Sequence, residues 1–243
     1  MQRGLYAAGT GMATATQWMD VIANNLANTN TTGFKKDVMV FNDGLDDAMR
    51  RQSAMGGDVG QIGSGPISKG VFTEWTVGNL QSTHNPMDFA LGTPTGLFAF
   101  QGIDGVQYTR DGAFSRSNSG QLVTKRGFPV LSRDGNPIDV PEGTFTVGEG
   151  GEISVAGKIL ATIGVFNGNF VKNGSDQYSS DNAVLMAPER VNIRQFTIET
   201  SNVNAVEEMI AMIRLQRNFE MAQKSAQAED ESSQKLIQSV DNR

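Results

Sequence analysis

Cysteine is absent from this 243-residue chain. That excludes disulfides and thiolate metal sites, and leaves either an oxidising or a reducing compartment open. Histidine is nearly absent: the one imidazole, His84, lies in the turn-like segment STHNP, with no second histidine to complete a zinc ligand set. No stretch approaches the ~18 apolar residues of a membrane span. The opening MQRGLYAAGTGM has no continuous apolar run and no cleavage pattern, so a removable secretory signal is not expected. Positive charge is scarce, with Lys+Arg 20 against Asp+Glu 26 and a net charge of −6. A nucleic-acid partner needs a basic face and is therefore not expected, and no basic run marks a membrane surface site. Hydrophobic residues make up only 38% while glycine is abundant at 28, so part of the chain is expected to lie outside any core.

Catalytic patterns are missing as well. There is no G-x-S-x-G elbow, and Gly63-Ser64-Gly65 has no flanking strand and helix to make a phosphate site. Glu149 and Glu152 in EGGEIS could in principle form a glycan-cleaving pair, but they flank a Gly-rich turn where solvated carboxylates are the rule. Glu229, Asp230 and Glu231 lack calcium-loop spacing and read as a wet helix face. No enzyme activity, metal or cofactor is expected.

What the chain does have is a helical stripe at each end. Leu5, Ala8, Met12, Ala15, Met19, Ile22 and Leu26 follow the 3-4 spacing of a narrow docking seam. Gly4, Gly9 and Gly11 weaken this helix by up to ~1 kcal/mol each, so it needs a partner to persist. Near the other end Asn204 with Glu207 fits an N-cap and its box partner. Met212, Leu215, Phe219, Ala222 and Ala226 form one stripe, and Val206, Ile210 and Ile213 a second, flanking one. A helix of roughly 35 residues, about 50 Å long, follows; its apolar stripe is interrupted at Glu229 and Ser233 and resumes at Leu236 and Val240. Residues 1–36 carry +2 (Arg3, Lys35 and Lys36 against Asp20), and residues 199–243 carry −3 from eight acids and five bases. Opposite signs suit helices that lie against each other, in one chain or between neighbours.

The middle differs in kind. From Val71 to Thr200, short alternating runs such as VQYTR, QLVTK and ILATIGVFN are cut by turn pairs such as Asp104-Gly105 and Asp134-Gly135, the pattern of hairpins in an all-β module. Residues 37–70, with RQSAMGGDVGQIGSGPISKG inside them, read as a flexible or partner-ordered linker. The fold class expected is thus mixed α and β: a discontinuous, coiled-coil-like terminal helical domain (1–36 with 201–243) and an inserted all-β domain (71–200).

At the end of the first stripe stands ANNLANTNTTGFKK, residues 23–36, with four asparagines and three threonines. This segment, preceded by MDVI, resembles the N-terminal signature of the bacterial flagellar rod and hook proteins. ETSNVNAVEEMIAMIRLQRNFEMAQK resembles the closing motif of the same family, and GVQYTRDGAFSRSNSGQLVTKRGFPVL its β-domain segment. The resemblance implies an axial protein of the basal-body rod, found in the periplasmic space and exported uncleaved by the flagellar type III apparatus. It implies helical polymerisation into the hollow drive shaft that carries torque from motor to hook. The partners implied are copies of itself, other rod and hook proteins and the export apparatus. The compact chain favours a rod protein over a hook-type protein; among rod types the proximal is expected first and the distal next, and an oligomeric surface adhesin is the alternative from another class. DFALGTPTGLFAFQG departs from the family's Gly-rich pattern, and a shorter or differently paired strand is expected there.

The assembly interface is expected at Leu5, Met12, Met19, Ile22, Leu26, Val206, Ile210, Ile213, Leu215 and Phe219. Asn28, Asn30 and Gly33 can take left-handed backbone angles that stop the helix. Asn24, Asn25 and Asn28 are expected to satisfy backbone groups of adjacent subunits, Phe34 to act as an apolar anchor, and Lys35 and Lys36 to lie near a neighbour's acidic helix.

Overall fold

The computed structural model describes residues 2–43 and 66–241. They form a mixed α and β structure whose contacts divide into two compact units. The first comprises residues 1–26, 37–72 and 204–243, the second residues 27–36 and 73–203.

Helix α1 (Gln2–Ala27) and helix α2 (Ala205–Asp241) dominate the first unit. Ala15 and Ile22 of α1 are buried against Leu215 of α2, with Met19, Ala211, Met212 and Phe219 packed around them. The 3-4 spacing places these residues on facing stripes, so the two ends of the chain cover each other. The Thr14 and Thr16 hydroxyls donate back to the Thr10 and Met12 carbonyls, at 2.8 and 3.0 Å, which keeps their polar groups satisfied within the helix. Asn204 caps α2 as its sequence requires: its Oδ1 accepts the Val206 N–H at 3.1 Å and the Glu207 N–H at 3.4 Å. Over its 37 residues α2 runs about 55 Å. It continues, as expected from its length, through Glu229 and Ser233, where the apolar stripe breaks, because the segment holds no glycine or proline; backbone propensity carries the helix past that break.

Strands β1 (Asp37–Asp43) and β2 (Pro66–Thr73) pair in a two-stranded sheet. Strand β1 and residues 66–70 of β2 fall in the stretch read as a linker from sequence. The alternation in DVMVF was the missed signal: Met39 is buried while Val38 and Val40 are exposed. Trp18 of α1 meets Phe41 of β1 with ring centroids 5.0 Å apart. The Gly-rich remainder, residues 44–65, lies outside the described residues.

Beyond the last residue of α1, the second unit contains no α-helix. Its main antiparallel sheet has the order β13 (Val171–Lys172), β14 (Gln177–Ser179), β6 (Gly105–Thr109), β5 (Leu97–Gly102), β12 (Val165–Asn167), β15 (Val184–Leu185). The β5–β6 hairpin turns at Asp104-Gly105, as the sequence indicates, with Gly102 opposite Gly105. Strand β5 is buried on both faces: Leu97 and Ala99 pack with Tyr108 and Tyr178, whereas Phe98 packs with Phe89 and Phe114. A strand covered on both sides reads as a continuous apolar run, here LFAF. The departing segment DFALGTPTGLFAFQG is shared between two sheets. Its first part is β4 (Phe89–Leu91), paired with β16 (Ile193–Gln195), and β5 is its second part, with Pro94 in the turn between. Next to β16 runs β17 (Thr197–Glu199), paired with β3 (Leu80–Ser82).

Candidate assembly site

The asparagine-rich stretch divides its work between the two units. Asn25 is almost fully buried, and its carboxamide pairs with the backbone of Asp37 as another peptide group would. Nδ2 donates to the Asp37 carbonyl at 2.8 Å, and Oδ1 accepts the Asp37 N–H at 2.9 Å. Nδ2 also reaches Glu208 Oε2 at 3.4 Å. A carboxamide offers a donor and an acceptor on separate neighbouring atoms, as a peptide group does, and here it ties α1 to the start of β1 and to α2. These bonds lie within the chain, where contacts to an adjacent subunit were expected. Asn24 faces solvent, Leu26 is half-buried and Asn28 is buried. Asn28 stops the helix with its carbonyl, which accepts the Thr31 N–H at 3.1 Å, and its Oδ1, which accepts the Thr31 hydroxyl at 3.2 Å.

The next three residues run into the second unit. Gly33 has φ +68°, and a Cβ there would collide with the backbone of Arg110 and Asp111. Only glycine combines that backbone angle with that approach. Its N–H donates to the Glu199 carbonyl at 2.8 Å. Phe34 is wholly buried, with the Lys172 ammonium 3.8 Å from its ring centroid, a cation–π contact. That ammonium also donates to the Lys35 carbonyl at 2.9 Å. Phe34 therefore anchors its own chain rather than a neighbour's.

Lys35 contradicts its expected place most sharply. Instead of facing an acidic helix it enters a buried ionic triad with Arg110 and Glu199, whose exposures are 0%, 1% and 2% respectively. Lys35 Nζ donates to Glu199 Oε1 at 2.5 Å and to the Thr76 carbonyl at 2.6 Å. Oε1 also accepts the Gly78 N–H at 2.8 Å, and Oε2 accepts Arg110 Nε at 2.6 Å. The remaining guanidinium N–H groups go to the carbonyls of Gly96, Leu91 and Thr93, at 2.7, 2.9 and 2.5 Å. Those carbonyls edge the turn between β4 and β5, so Arg110 fixes the segment whose sequence departs from pattern. Two cations face one anion. Burial pushes the Lys35 ammonium below the ordinary lysine value; Glu199 pulls it back up, and Arg110 adds to the lowering. Lys36, beside it, donates its N–H to Asn202 Oδ1 at 2.7 Å. Sequence reasoning singled out neither Arg110 nor Glu199, because lone charged residues far apart in the chain carry no local signal.

The remaining expected interface residues sort by face. Ile22 and Leu215 are buried in the helix pair, with Met19 and Phe219 half-buried beside them. Met12 is half-buried; Leu5 lies on α1 among residues whose side chains are outside the described set. Val206, Ile210 and Ile213 are exposed, joined by Met209, which the sequence reading had missed. Helical geometry puts these four roughly 150° around α2 from its buried stripe. They form an apolar patch on the outer face of a helix already packed on its inner face. Among the described residues, no group of three or more His, Asp or Glu is placed to hold a metal ion, and no helix is long and apolar enough to cross a membrane.

Three family profiles match the chain. "Flagella basal body rod protein" covers residues 5–35, "Flagellar hook protein FlgE/F/G D1 domain" residues 94–155, and "Flagellar basal body rod FlgEFG protein C-terminal" residues 194–239. The flagellar basal-body rod protein FlgG of Bacillus subtilis is 32% identical over 98% of both chains. The chain belongs to the flagellar basal-body rod protein family. FlgG of Buchnera aphidicola subsp. Schizaphis graminum is 34% identical over 96% of this chain and 98% of its own, and FlgF of Caulobacter vibrioides 32% identical over 98% of both. The rod proteins are structural, and so is this chain: a non-enzymatic axial component of the flagellar basal body. The adhesin reading finds no support among these relatives. Lys35, Arg110 and Glu199 come one from each of the three matched segments, so the triad joins all three at one buried point.

Proposed function

We propose that the chain polymerises helically into the hollow shaft of the rod, its terminal helices forming a coiled-coil-like layer of the tube and its β-rich unit an inserted domain facing outward. The observation that carries this reading is the patch Val206, Met209, Ile210 and Ile213, left in solvent on the outer face of α2. Such an apolar face on a helix is a contact awaiting an occupant. Leu5, Met12, Asn24 and Leu26 complete the contact from α1. Ile22, Asn25, Gly33, Phe34 and Leu215 serve it indirectly, by holding α1, α2 and the strands in place. Export proceeds through the flagellar type III apparatus without a cleaved signal, and the chain works in the periplasmic part of the rod. The short connection after the first helix favours a rod protein over a hook protein, and the proximal rod type is placed ahead of the distal.

The test is assembly of the purified protein at rising concentration, followed by sedimentation and negative-stain electron microscopy. Tubular or filamentous polymers that disappear in Ile210→Asp and Ile213→Asp support the reading. Polymers unaffected by both substitutions, or a monomer at every concentration, would overturn it.

A further inference from the structure

Unit 1 carries a second apolar surface besides the outer patch of α2. A groove of about 270 Å³ opens on the side where α1, β1 and α2 meet, lined by Ala15, Trp18, Phe41, Leu215 and Phe219, with Gly11 at its edge. Trp18 is partly in solvent although it stacks on Phe41. The groove lies on the inner-stripe side of α2 and the patch on the opposite side, so the two cannot meet within one chain.

We propose that the outer patch of α2 in one copy seats in the Trp18–Phe41–Phe219 groove of a second copy. The occupant is a second copy for two reasons on this page. First, complementary apolar surfaces on opposite sides of one helix make a heterologous, head-to-tail contact, and repetition of such a contact generates an open helix rather than a closed dimer. That is the symmetry a rod requires, and the inference rests on that reading. Second, Gly11 has no explanation inside the chain. A Cβ placed there meets nothing within 4 Å, and a helix-interior glycine is unfavourable relative to alanine. A neighbouring helix that approaches closely at the groove edge supplies the missing reason, because a side chain at position 11 would hold it off.

Because the natural chain has no cysteine, contacts between copies can be mapped with single thiols. Ile210→Cys labels the patch and Asn218→Cys the groove rim. The two full-length variants are mixed, assembled, pelleted and oxidised. Disulfide-linked pairs should form in the mixture and in neither variant alone, and Gly11→Leu in the Asn218→Cys chain should abolish them. Gly11→Leu should also raise the concentration needed for assembly at least tenfold while leaving helical content and unfolding midpoint unchanged or higher. Cross-links in Ile210→Cys alone would show patch against patch and overturn the proposal. So would pelleted polymers without cross-links, or Gly11→Leu chains that assemble normally. If nothing pellets, including the natural chain, the rod-polymer reading falls and this inference with it; polymers with the wrong cross-links overturn the inference alone.

Discussion

Removing the carboxylate from the buried triad should damage the β-rich unit far more than removing the lysine that pairs with it. Lys35, Arg110 and Glu199 are all at most 2% exposed, and together they hold two positive charges and one negative. Glu199→Gln keeps the shape and an acceptor for the Gly78 N–H, but leaves two cations buried without an anion. Stripping a buried pair of one partner in this way costs about 3–5 kcal/mol. Lys35→Met removes the surplus positive charge instead. The Glu199–Arg110 pair stays balanced, Glu199 keeps the Gly78 N–H, and the methionine fills most of the lysine's volume. What is lost is the bond to Glu199 and one of two bonds to the Thr76 carbonyl, which keeps Asn202 Nδ2 at 3.3 Å, at about 1.5–3 kcal/mol for a hydrogen bond to a charged group, offset by the desolvation of the ammonium that no longer has to be met. A net cost of no more than about 1–2 kcal/mol follows. The double variant should be less unstable than the sum of the singles, because Lys35→Met relieves part of the repulsion that Glu199→Gln creates. The chain has two tryptophans, Trp18 and Trp75. In a Trp18→Phe background, Trp75 reports the β-rich unit alone, where it packs against Tyr178 and Phe170. With urea slopes of about 1–3 kcal/mol/M, Glu199→Gln should lower the midpoint by about 1 M or more and Lys35→Met by a fraction of that. Equal losses from the two substitutions would refute the charge-balance argument and mean that geometry alone sets the cost.

Other outcomes follow from the same contacts. Asn25→Ala should cost about 1–3 kcal/mol, since it removes both of its bonds to the Asp37 backbone, and should raise the hydrogen-exchange rate of the Asp37 amide. Gly33→Ala must relocate a backbone pressed against Arg110, so it should cost more than the ~1–3 kcal/mol of a strained angle alone, read from the Trp75 urea midpoint. The lowered Lys35 value has a definite sign. The unfolded chain binds that proton more tightly, so stability attributable to Lys35 should rise with pH between its depressed folded value and 10.5 and be flat below that window. Comparison with Lys35→Met across alkaline pH checks it: a difference that falls as pH rises would contradict the direction.

The parts of this fold that were readable in the chain are those whose physics is local. The stripes of α1 and α2, the Asn204 cap and the Asp104-Gly105 hairpin depend on residues a few positions apart. The asparagine-rich stretch was rightly singled out, but most of its bonds were assigned to the wrong place. Nothing nearby in sequence says that Asn25 meets Asp37, and a motif shared by an assembling family invites the thought that it faces a neighbour. Charge composition misled more deeply. Lysine and arginine are expected in water, so Lys35 beside Lys36 reads as a solvated or intersubunit pair. Its partners, Arg110 and Glu199, lie in other segments, and only the folded chain unites them. Strands β1 and β2 were missed because a Gly- and Ser-rich stretch lies between them and outweighed a short alternating run.

The triad also bears on when the molecule becomes itself. Lys35 and Glu199 are 164 positions apart, near opposite ends of the chain, yet both are needed before the β-rich unit is closed. Closing so long a loop is slow, and its entropic cost is repaid only once the contact forms. A polypeptide threaded end-first through a narrow passage, whichever end leads, cannot make that contact until most of its length has emerged. If the chain is exported in that way, the residues that finish its fold also keep it unfinished during passage.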